Sequence, residues 1–293
     1  MSSTIKNIVN FLINGNILIA TAAVAQCILT YVILQKPINA NVVSIEGAST
    51  MILYQVSLYL SKPANPASSP FLRTRWFFSN IWYFWLSVFV AAVVLVYCLL
   101  QLHPWTCFYL GVIGILSLGY GLPIFSFEGR KVGLRQVPGL KVFYIAILWS
   151  LSGAGLPVVE MWAEGEGIDW GAAHYLGISK VLFLLVCTLP FDIRDMRQDA
   201  LYHLKTIPLI LGERKSRSLC YLILFIHTLL LIFAPYDWVI ILGLLLTNVI
   251  VLALLKFVIF TTKSGYSAVY WLDFVLLIQC VIVLIVYFPF IKF

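Results

Sequence analysis

The chain has 293 residues, of which 62% are hydrophobic and 11% are charged, with a formal net charge of +7. Its mean hydropathy is +0.99, and soluble proteins carry roughly 25% charged residues. This composition excludes a soluble protein and predicts an all-α, polytopic membrane helix bundle. The connections between the apolar segments are too short for a soluble domain, so residues 1–293 are predicted to form a single integral-membrane domain.

Nine apolar segments are candidates for membrane-spanning helices. A helix needs about 20 apolar residues to cross a hydrocarbon core of roughly 30 Å. The second segment is the most polar, because it contains Glu46, Thr50 and Gln55. We predict nine transmembrane helices, and the segments cover residues 8–34, 43–60, 77–101, 104–123, 139–159, 174–191, 217–234, 238–260 and 267–290.

The basic residues fall mainly on one side of this predicted bundle. With the N-terminus inside, all of the 19 lysines and arginines lie on the inner side except Lys36, Lys180 and Lys292. Cytoplasmic loops carry such an excess of basic residues. The positive charge therefore reflects topology and does not indicate a nucleic-acid partner, and no obligate protein partner is evident. We expect a multi-pass protein of a bacterial inner membrane, with the N-terminus cytoplasmic and the C-terminus outside.

Amide side chains mark the inner ends of the first two spans. The first segment contains Asn7, Asn10, Asn14 and Asn16, and the second ends shortly after Gln55. Hydrogen bonds between helices explain such residues in many membrane bundles. The alternative is that they line a polar cavity.

Two inner loops supply cations. The loop after the second span carries Arg73 and Arg75 among prolines that mark a non-helical connection. The loop after the fourth span runs from Tyr120 through Arg135 to Lys141. Cations of this kind bind phosphate oxygens. The alternatives are topological charge for the arginines and, for Lys141, a side chain that snorkels to the membrane interface.

Three aspartates, Asp192, Asp195 and Asp199, follow the sixth span. If its helix continues past Pro190, the spacings of three and four residues place the three carboxylates on one face. Like charges that are close together need a compensating cation, and Mg²⁺ takes oxygen ligands of this type. The alternative is a solvated loop in which Arg194 is ordinary inside-facing charge.

A further acidic residue, Asp273, lies near the inner end of the last span. A charge at the bilayer centre costs about 2.5–3.5 kcal/mol on insertion scales, so intramembrane acids usually face the bundle interior. We expect Asp273 either to line the same cavity or to form a hydrogen bond with a neighbouring helix.

The aspartate stretch continues with Lys205-Thr206-Ile207-Pro208 and then Leu211-Gly212. The order Asp-x-Arg-Asp-x-x-x-Asp, Lys-Thr-x-Pro and Leu-Gly resembles the second aspartate-rich motif of the UbiA-type intramembrane prenyltransferase superfamily. Nine helices and a Tyr-Gly-x-Pro sequence before a basic loop are also similar to that family.

This resemblance implies a central cavity, open to the inner side, and a Mg²⁺-dependent reaction. An isoprenyl group is transferred from an isoprenyl diphosphate to a lipophilic acceptor. The implied catalytic residues and Mg²⁺ ligands are Asp192, Asp195 and Asp199. The implied diphosphate-binding residues are Arg73, Arg75, Arg135, Lys141, Arg194 and Lys205. The candidates to line the cavity are Asn14, Gln55, Tyr120 and Asp273.

The first aspartate motif of that family is missing. The inner end of the second span reads Tyr54-Gln55-Val56-Ser57-Leu58-Tyr59-Leu60-Ser61-Lys62 and contains no carboxylate. We therefore expect one strongly bound metal ion where the family has two, with Arg73 or Arg75 in place of the missing metal.

Two alternatives to an enzyme remain. The first is a catalytically degenerate protein of the same fold that binds an isoprenoid without chemistry. The second is a small-molecule transporter, in which charged residues follow a path through several spans. The charge in this sequence gathers at one face, with little expected at mid-depth, and this disfavours the transporter.

Overall fold

The structure of the protein is a computed structural model that describes residues 3–69, 72–121, 125–127, 130–132, 134, 137–201, 204–261 and 266–287. It is almost entirely helical. The helices are α1 Ser3–Asn14, α2 Ile17–Ile33, α3 Ala40–Leu60, α4 Leu72–Ser79, α5 Ile81–Leu99, α6 Pro104–Gly121, α7 Leu140–Ser150, α8 Leu156–Ala163, α9 Trp170–Arg194, α10 Met196–Leu201, α11 Ile207–Leu211, α12 Glu213–Ile232, α13 Trp238–Leu254 and α14 Trp271–Tyr287. A short antiparallel hairpin of β1 Phe125–Phe127 and β2 Arg130–Val132 lies between α6 and α7.

Each of the nine predicted segments contains a helix, but among the described residues only six helical stretches are long and apolar enough to cross a membrane. If α1 and α2 are counted together as one span, the number of spans rises to seven, although the chain bends by 72° between the two helices. Helix α6 is shorter, and α3 has 21 residues but is too polar to qualify. The long apolar helices are compatible with an integral multi-pass membrane protein, and the predicted count of nine is not confirmed. The six stretches are Ile81–Leu99, Leu140–Ala163, Trp170–Arg194, Glu213–Ile232, Trp238–Ile259 and Ala268–Tyr287.

The bend between α1 and α2 occurs at Gly15 and Asn16. Asn16 has a φ of 62°, in the left-handed region that asparagine tolerates better than most residues. A Cβ on Gly15 would lie 2.9 Å from the carbonyl oxygen of Phe11 and 3.0 Å from the hydroxyl of Tyr83. The close packing therefore requires glycine at this position. The bend also leaves the Gly15 carbonyl available to side chains of other helices.

The bundle is organised around α9, the most buried of the six long apolar stretches. Helix α9 packs against α7 on one side and α12 on the other. Contacts then continue from α12 through α13, α14 and α2 to α3, and α5 packs on the outside of α3. Because α9 lies inside the bundle, the residues at its C-terminal end are surrounded by several other elements.

A π-helical segment, Leu151–Gly155, joins α7 to α8. Wider π turns of this kind often lie at functional sites and disturb the regular backbone hydrogen bonds. Here the Leu151 carbonyl accepts a hydrogen bond of 3.1 Å from the hydroxyl of Tyr109. The Gly153 carbonyl accepts one of 2.6 Å from Thr30 in α2. The segment is therefore tied to its neighbours by side chains from other helices.

Candidate functional site

The candidate site lies where α9 ends and α7 begins, which we call the aspartate end of the bundle. Helix α9 continues past Pro190 to Arg194, and the chain resumes as α10 after Asp195. Asp192 and Asp199 are 4% and 2% exposed. Their carboxylates converge on the ammonium group of Lys141, with N–O distances of 2.8 Å and 2.9 Å. We call these three residues the aspartate–lysine triad.

The start of α7 places Lys141 in this triad. Gly139, with a φ of 70°, precedes the helix, and its N–H donates a 2.7 Å hydrogen bond to the carbonyl of Lys205. The loop after α10 therefore holds the start of α7 beside the aspartates. The Lys141 side chain points into the bundle, and the residue is 9% exposed. The alternative that it snorkels to the membrane interface is wrong.

Asp195 binds a different cation. Its carboxylate accepts two hydrogen bonds from Arg194, of 2.8 Å and 2.9 Å. The guanidinium carbon of Arg194 lies 5.0 Å from the ring centre of Phe191 and 5.3 Å from that of Tyr270, which is within cation–π range. A bidentate, stacked guanidinium is held in one orientation. The Asp195–Arg194 pair and the aspartate–lysine triad are thus two adjacent groups in which carboxylates bind a cation.

The arrangement bears on the predicted metal site. Within the described ranges, no three acidic, histidine or cysteine side chains form a group suited to a metal ion. Asp192 and Asp199 nevertheless converge on one position. The Oδ2 atom of Asp192 is buried and has no hydrogen-bond partner among the residues that the structure describes. Carboxylate oxygens are ligands that hard divalent cations take. The two residues therefore fit one such cation at the position of the Lys141 ammonium.

A second polar cluster lies at the C-terminal end of α3, where the sequence has no carboxylate. The guanidinium of Arg73, in α4, donates to Oδ1 of Asn16, and the amide of Asn16 donates to Oε1 of Gln55 at 3.1 Å. Gln55 is completely buried and donates in turn to the Gly15 carbonyl at 3.2 Å and to Ser87 at 3.0 Å. Amides and one guanidinium thus replace carboxylates at this end of α3.

Asp273 connects this cluster with the end of α9. It interacts electrostatically with both Arg73 and Arg194. Tyr54, in α3, interacts electrostatically with Asp273 and Arg73. Residues of α3, α4, α9 and α14 therefore surround one polar region at the aspartate end.

The remaining predicted site residues are more peripheral. Arg75 is exposed and donates to the Ser69 carbonyl at 2.9 Å. Lys205 is also exposed and contributes its backbone carbonyl to Gly139. Tyr120 stacks on Tyr144, with ring centres 5.4 Å apart. Asn14 ends α1, and it is Asn16 that makes the polar contacts in that region. Arg135 lies outside the described residues.

A group of buried polar residues that the sequence analysis missed lies near the middle of the bundle. Lys180 and Glu46 are 5% and 1% exposed, and Lys180 lies near the middle of the 25-residue helix α9, so charged residues also lie inside the bundle away from the aspartate end. The Lys180 ammonium donates to the carbonyls of Gln26 and Gly153, the latter at 3.1 Å. Ser152 donates to Glu46, whose Oε2 has no hydrogen-bond partner within the described structure. We call these five residues the mid-bundle cluster.

This cluster was not predicted, because the expected topology placed Lys180 on the outer side. The signal that could have revealed it is the apolar sequence on both sides of Lys180, Leu176 to Ser179 and Val181 to Cys187. A lysine within such a run is surrounded by helices whichever end of the span is closer.

Neither of two pockets in the described parts of the chain is lined by the three aspartates. One, of about 500 Å³, lies between α6, the π-helical segment and α9, and its lining is mainly apolar. The other, of about 210 Å³, lies at the opposite end of the bundle beside Lys36, Asp169 and Asp237. The predicted central cavity is not confirmed.

Comparison of the chain with protein-family models finds no match, and comparison with curated proteins finds no significant relative.

Proposed function

We propose that this protein is a membrane prenyltransferase that transfers an isoprenyl group from an isoprenyl diphosphate to a lipophilic acceptor in a Mg²⁺-dependent reaction. The observation that carries the proposal is the convergence of two buried carboxylates, Asp192 and Asp199, on a single cation position. The resemblance of the aspartate stretch to the second motif of the UbiA-type superfamily gives the same assignment from sequence.

Asp192 and Asp199 would hold the metal ion. Bound there, Mg²⁺ would act as a Lewis acid that neutralises the diphosphate leaving group. Asp195 keeps the Arg194 guanidinium in a fixed orientation through two hydrogen bonds. It supports the site in this way, and it becomes a metal ligand only if that pair opens.

The arginines of the polar region would bind phosphate oxygens. Arg73 comes from α4 and Arg194 from the end of α9, and Asp273 interacts with both. Guanidinium groups bind phosphates in a bidentate manner. The Nε atom of Arg73 is buried and has no hydrogen-bond partner in the described structure, so it has a donor left for such a ligand. Arg75, Arg135 and Lys205 remain candidates for further contacts with the diphosphate at the aspartate end.

The degenerate isoprenoid-binding protein is a second candidate, and a specific observation favours it. The inner end of α3 holds the cluster of Gln55, Asn16 and Arg73 and no acid, while internal cations already bind the three aspartates of the site, Asp192, Asp195 and Asp199. A site of this kind can bind an isoprenyl diphosphate without breaking the bond between its isoprenyl group and the diphosphate.

A transporter is favoured by a different observation. Lys180 and Glu46 are buried near mid-depth. Intramembrane ionisable residues often mark ion or proton paths. The distribution of charge therefore no longer argues against transport. Net uptake of a labelled substrate into vesicles that contain the purified protein would support this candidate over prenyl transfer.

We also propose that the aspartate end faces the cytoplasm of a bacterial cell, with the N-terminus inside. The excess of basic residues in the loops at this end supports the orientation. The test places a cysteine by Gln198→Cys in a variant that lacks the six native cysteines. We expect no modification by an impermeant thiol reagent in intact cells and full modification after lysis. Modification in intact cells would contradict the orientation.

The test of the activity supplies farnesyl or geranylgeranyl diphosphate, with a mixture of lipophilic acceptors, to membranes containing the protein. Products are measured by mass spectrometry with Mg²⁺ or with a chelator. We expect prenylated product only with Mg²⁺ and only with intact Asp192. The matched control is Glu213→Gln, which removes an exposed carboxylate from the same region. Product formation that survives chelation would overturn the mechanism, and isoprenoid binding without product would favour the degenerate protein.

A further inference from the structure

With all three groups ionised, the aspartate–lysine triad carries one excess negative charge. It contains two carboxylates and one ammonium group, and all three residues are buried. The neighbouring Asp195 and Arg194 form a pair of their own with no net charge. Burying an uncompensated charge is costly, and the cost falls when a cation binds nearby. A cation with more positive charge than the Lys141 ammonium would therefore bind favourably between the two carboxylates.

From this geometry we propose that Lys141 is a displaceable internal counter-ion, which occupies the aspartate site in competition with a hard divalent cation. The inference rests on the proposed function only in placing a metal ion at Asp192 and Asp199. When the metal ion binds, the Lys141 ammonium leaves the carboxylates and becomes available to a phosphate oxygen of the ligand.

The contacts of Lys141 suit such an exchange. An ammonium is a compact point charge on a flexible four-carbon stem, whereas a guanidinium is a rigid fork. Its N–O distances are 2.8 Å and 2.9 Å, and Mg²⁺–oxygen distances are roughly 2.0–2.1 Å. The two carboxylates therefore need to close by less than about 1 Å each to bind Mg²⁺ in its place.

Arg194 does not offer the same exchange. Its guanidinium makes two hydrogen bonds to one carboxylate and stacks against two aromatic rings. Displacing it would break all of these contacts together. Of the two cations bound to the aspartates, Lys141 is thus the one that a metal ion replaces.

The backbone around Lys141 keeps the lysine at the site after the exchange. The N–H of Gly139 donates to the Lys205 carbonyl at 2.7 Å, and the N–H of Leu204 donates to the Asp199 carbonyl at 2.9 Å. These bonds link the start of α7 to the segment that follows Asp199. Only the side chain of Lys141 has to move, which keeps its ammonium within reach of a ligand bound by the metal.

The experiment measures Mn²⁺ binding to the purified protein in detergent by the loss of the electron paramagnetic resonance signal of free Mn²⁺. We compare the wild type with Lys141→Met, which keeps an unbranched apolar stem but removes the charge. We expect the variant to bind Mn²⁺ at least roughly tenfold more tightly, because its two carboxylates no longer have an internal cation. A second variant, Lys141→Gln, should show the same direction.

Two controls identify the site. Lys215→Met removes an exposed lysine near the same end of the bundle and should leave Mn²⁺ affinity at the wild-type value. Adding Asp192→Asn to Lys141→Met should abolish the gain. Both neutral variants at Lys141 binding Mn²⁺ no more tightly than the wild type would overturn the proposal. Tight Mn²⁺ binding together with no prenyl transfer would instead overturn the proposed function and leave the exchange standing.

Discussion

Two lysines are buried among the residues that the structure describes, and different chemical groups bind them. Lys141, at the aspartate end, is bound by two carboxylates, whereas Lys180, in the mid-bundle cluster, donates to two backbone carbonyls. Carboxylates carry charge and bind any suitable cation, but backbone carbonyls are neutral and fixed by the helices. Burial alone therefore does not identify a functional lysine, and the groups that bind its ammonium are more informative.

The two lysines therefore have different roles in the protein. The carbonyl of Gly153 belongs to the π-helical segment, so Lys180 ties this segment to α9 and α2. We interpret Lys180 as a residue that stabilises the bundle. Lys141 belongs to a pair of acids that fits a metal ion, so we interpret it as part of a binding site.

The largest expected effect comes from removing the acids that distinguish Lys141 from Lys180. Asp192→Asn or Asp199→Asn should lower the rate of prenyl transfer by roughly 100-fold or more, since electrostatic stabilisation of developing charge is lost. Asp195→Asn should have a smaller effect, because it acts through Arg194. Rates measured with saturating diphosphate check this order. Equal loss in all three variants would show that Asp195 is also a metal ligand.

The next effect concerns stability. Lys180→Met should lower the free energy of unfolding by roughly 1–3 kcal/mol, since buried carbonyls lose a donor and Glu46 loses its nearby cation. Thermal unfolding in detergent measures the change, with Lys215→Met as an exposed control. Mn²⁺ affinity should remain at the wild-type value. An increase in Mn²⁺ affinity would mean that the mid-bundle cluster also binds cations, and the contrast between the lysines would fail.

A smaller effect is expected at Arg73. Arg73→Gln should raise the KM for the isoprenyl diphosphate about tenfold, because one charge-assisted contact to phosphate is lost. Its effect on kcat should be weaker than that of the aspartate variants. Arg197→Gln, which removes an exposed arginine close to the site, is the matched control. An unchanged KM in the Arg73 variant would show that Arg73, and with it α4, does not contribute to diphosphate binding.

The sequence was sufficient to predict the character of the aspartate end. The spacing of the aspartates predicted that acids and a compensating cation come together there if α9 continues past Pro190. The helix does continue to Arg194, and Lys141 binds Asp192 and Asp199. The composition of the second segment also indicated that this segment is unusually polar. The structure agrees, because α3 is not apolar enough to count among the six membrane-spanning candidates.

Three features of the site were not predictable in the same way. The break at Asp195 turns this acid toward Arg194, and it depends on how α9 and α10 meet. The burial of Lys141 depends on packing between α7 and α9. The role of Asn16 depends on a single left-handed residue in the bend between α1 and α2. Each of these features arises from tertiary structure, which residue spacing along the chain does not encode.

The most direct test of the central claim is the equilibrium binding of geranylgeranyl diphosphate to the purified protein, measured with Mg²⁺ and with a chelator. If Asp192 and Asp199 hold a metal ion that binds the diphosphate, Mg²⁺ should tighten binding in the wild type by at least about tenfold. The double variant Asp192→Asn with Asp199→Asn should show no such gain. Equal affinity with Mg²⁺ and with chelator in the wild type, or a full Mg²⁺ effect in the double variant, would contradict the account.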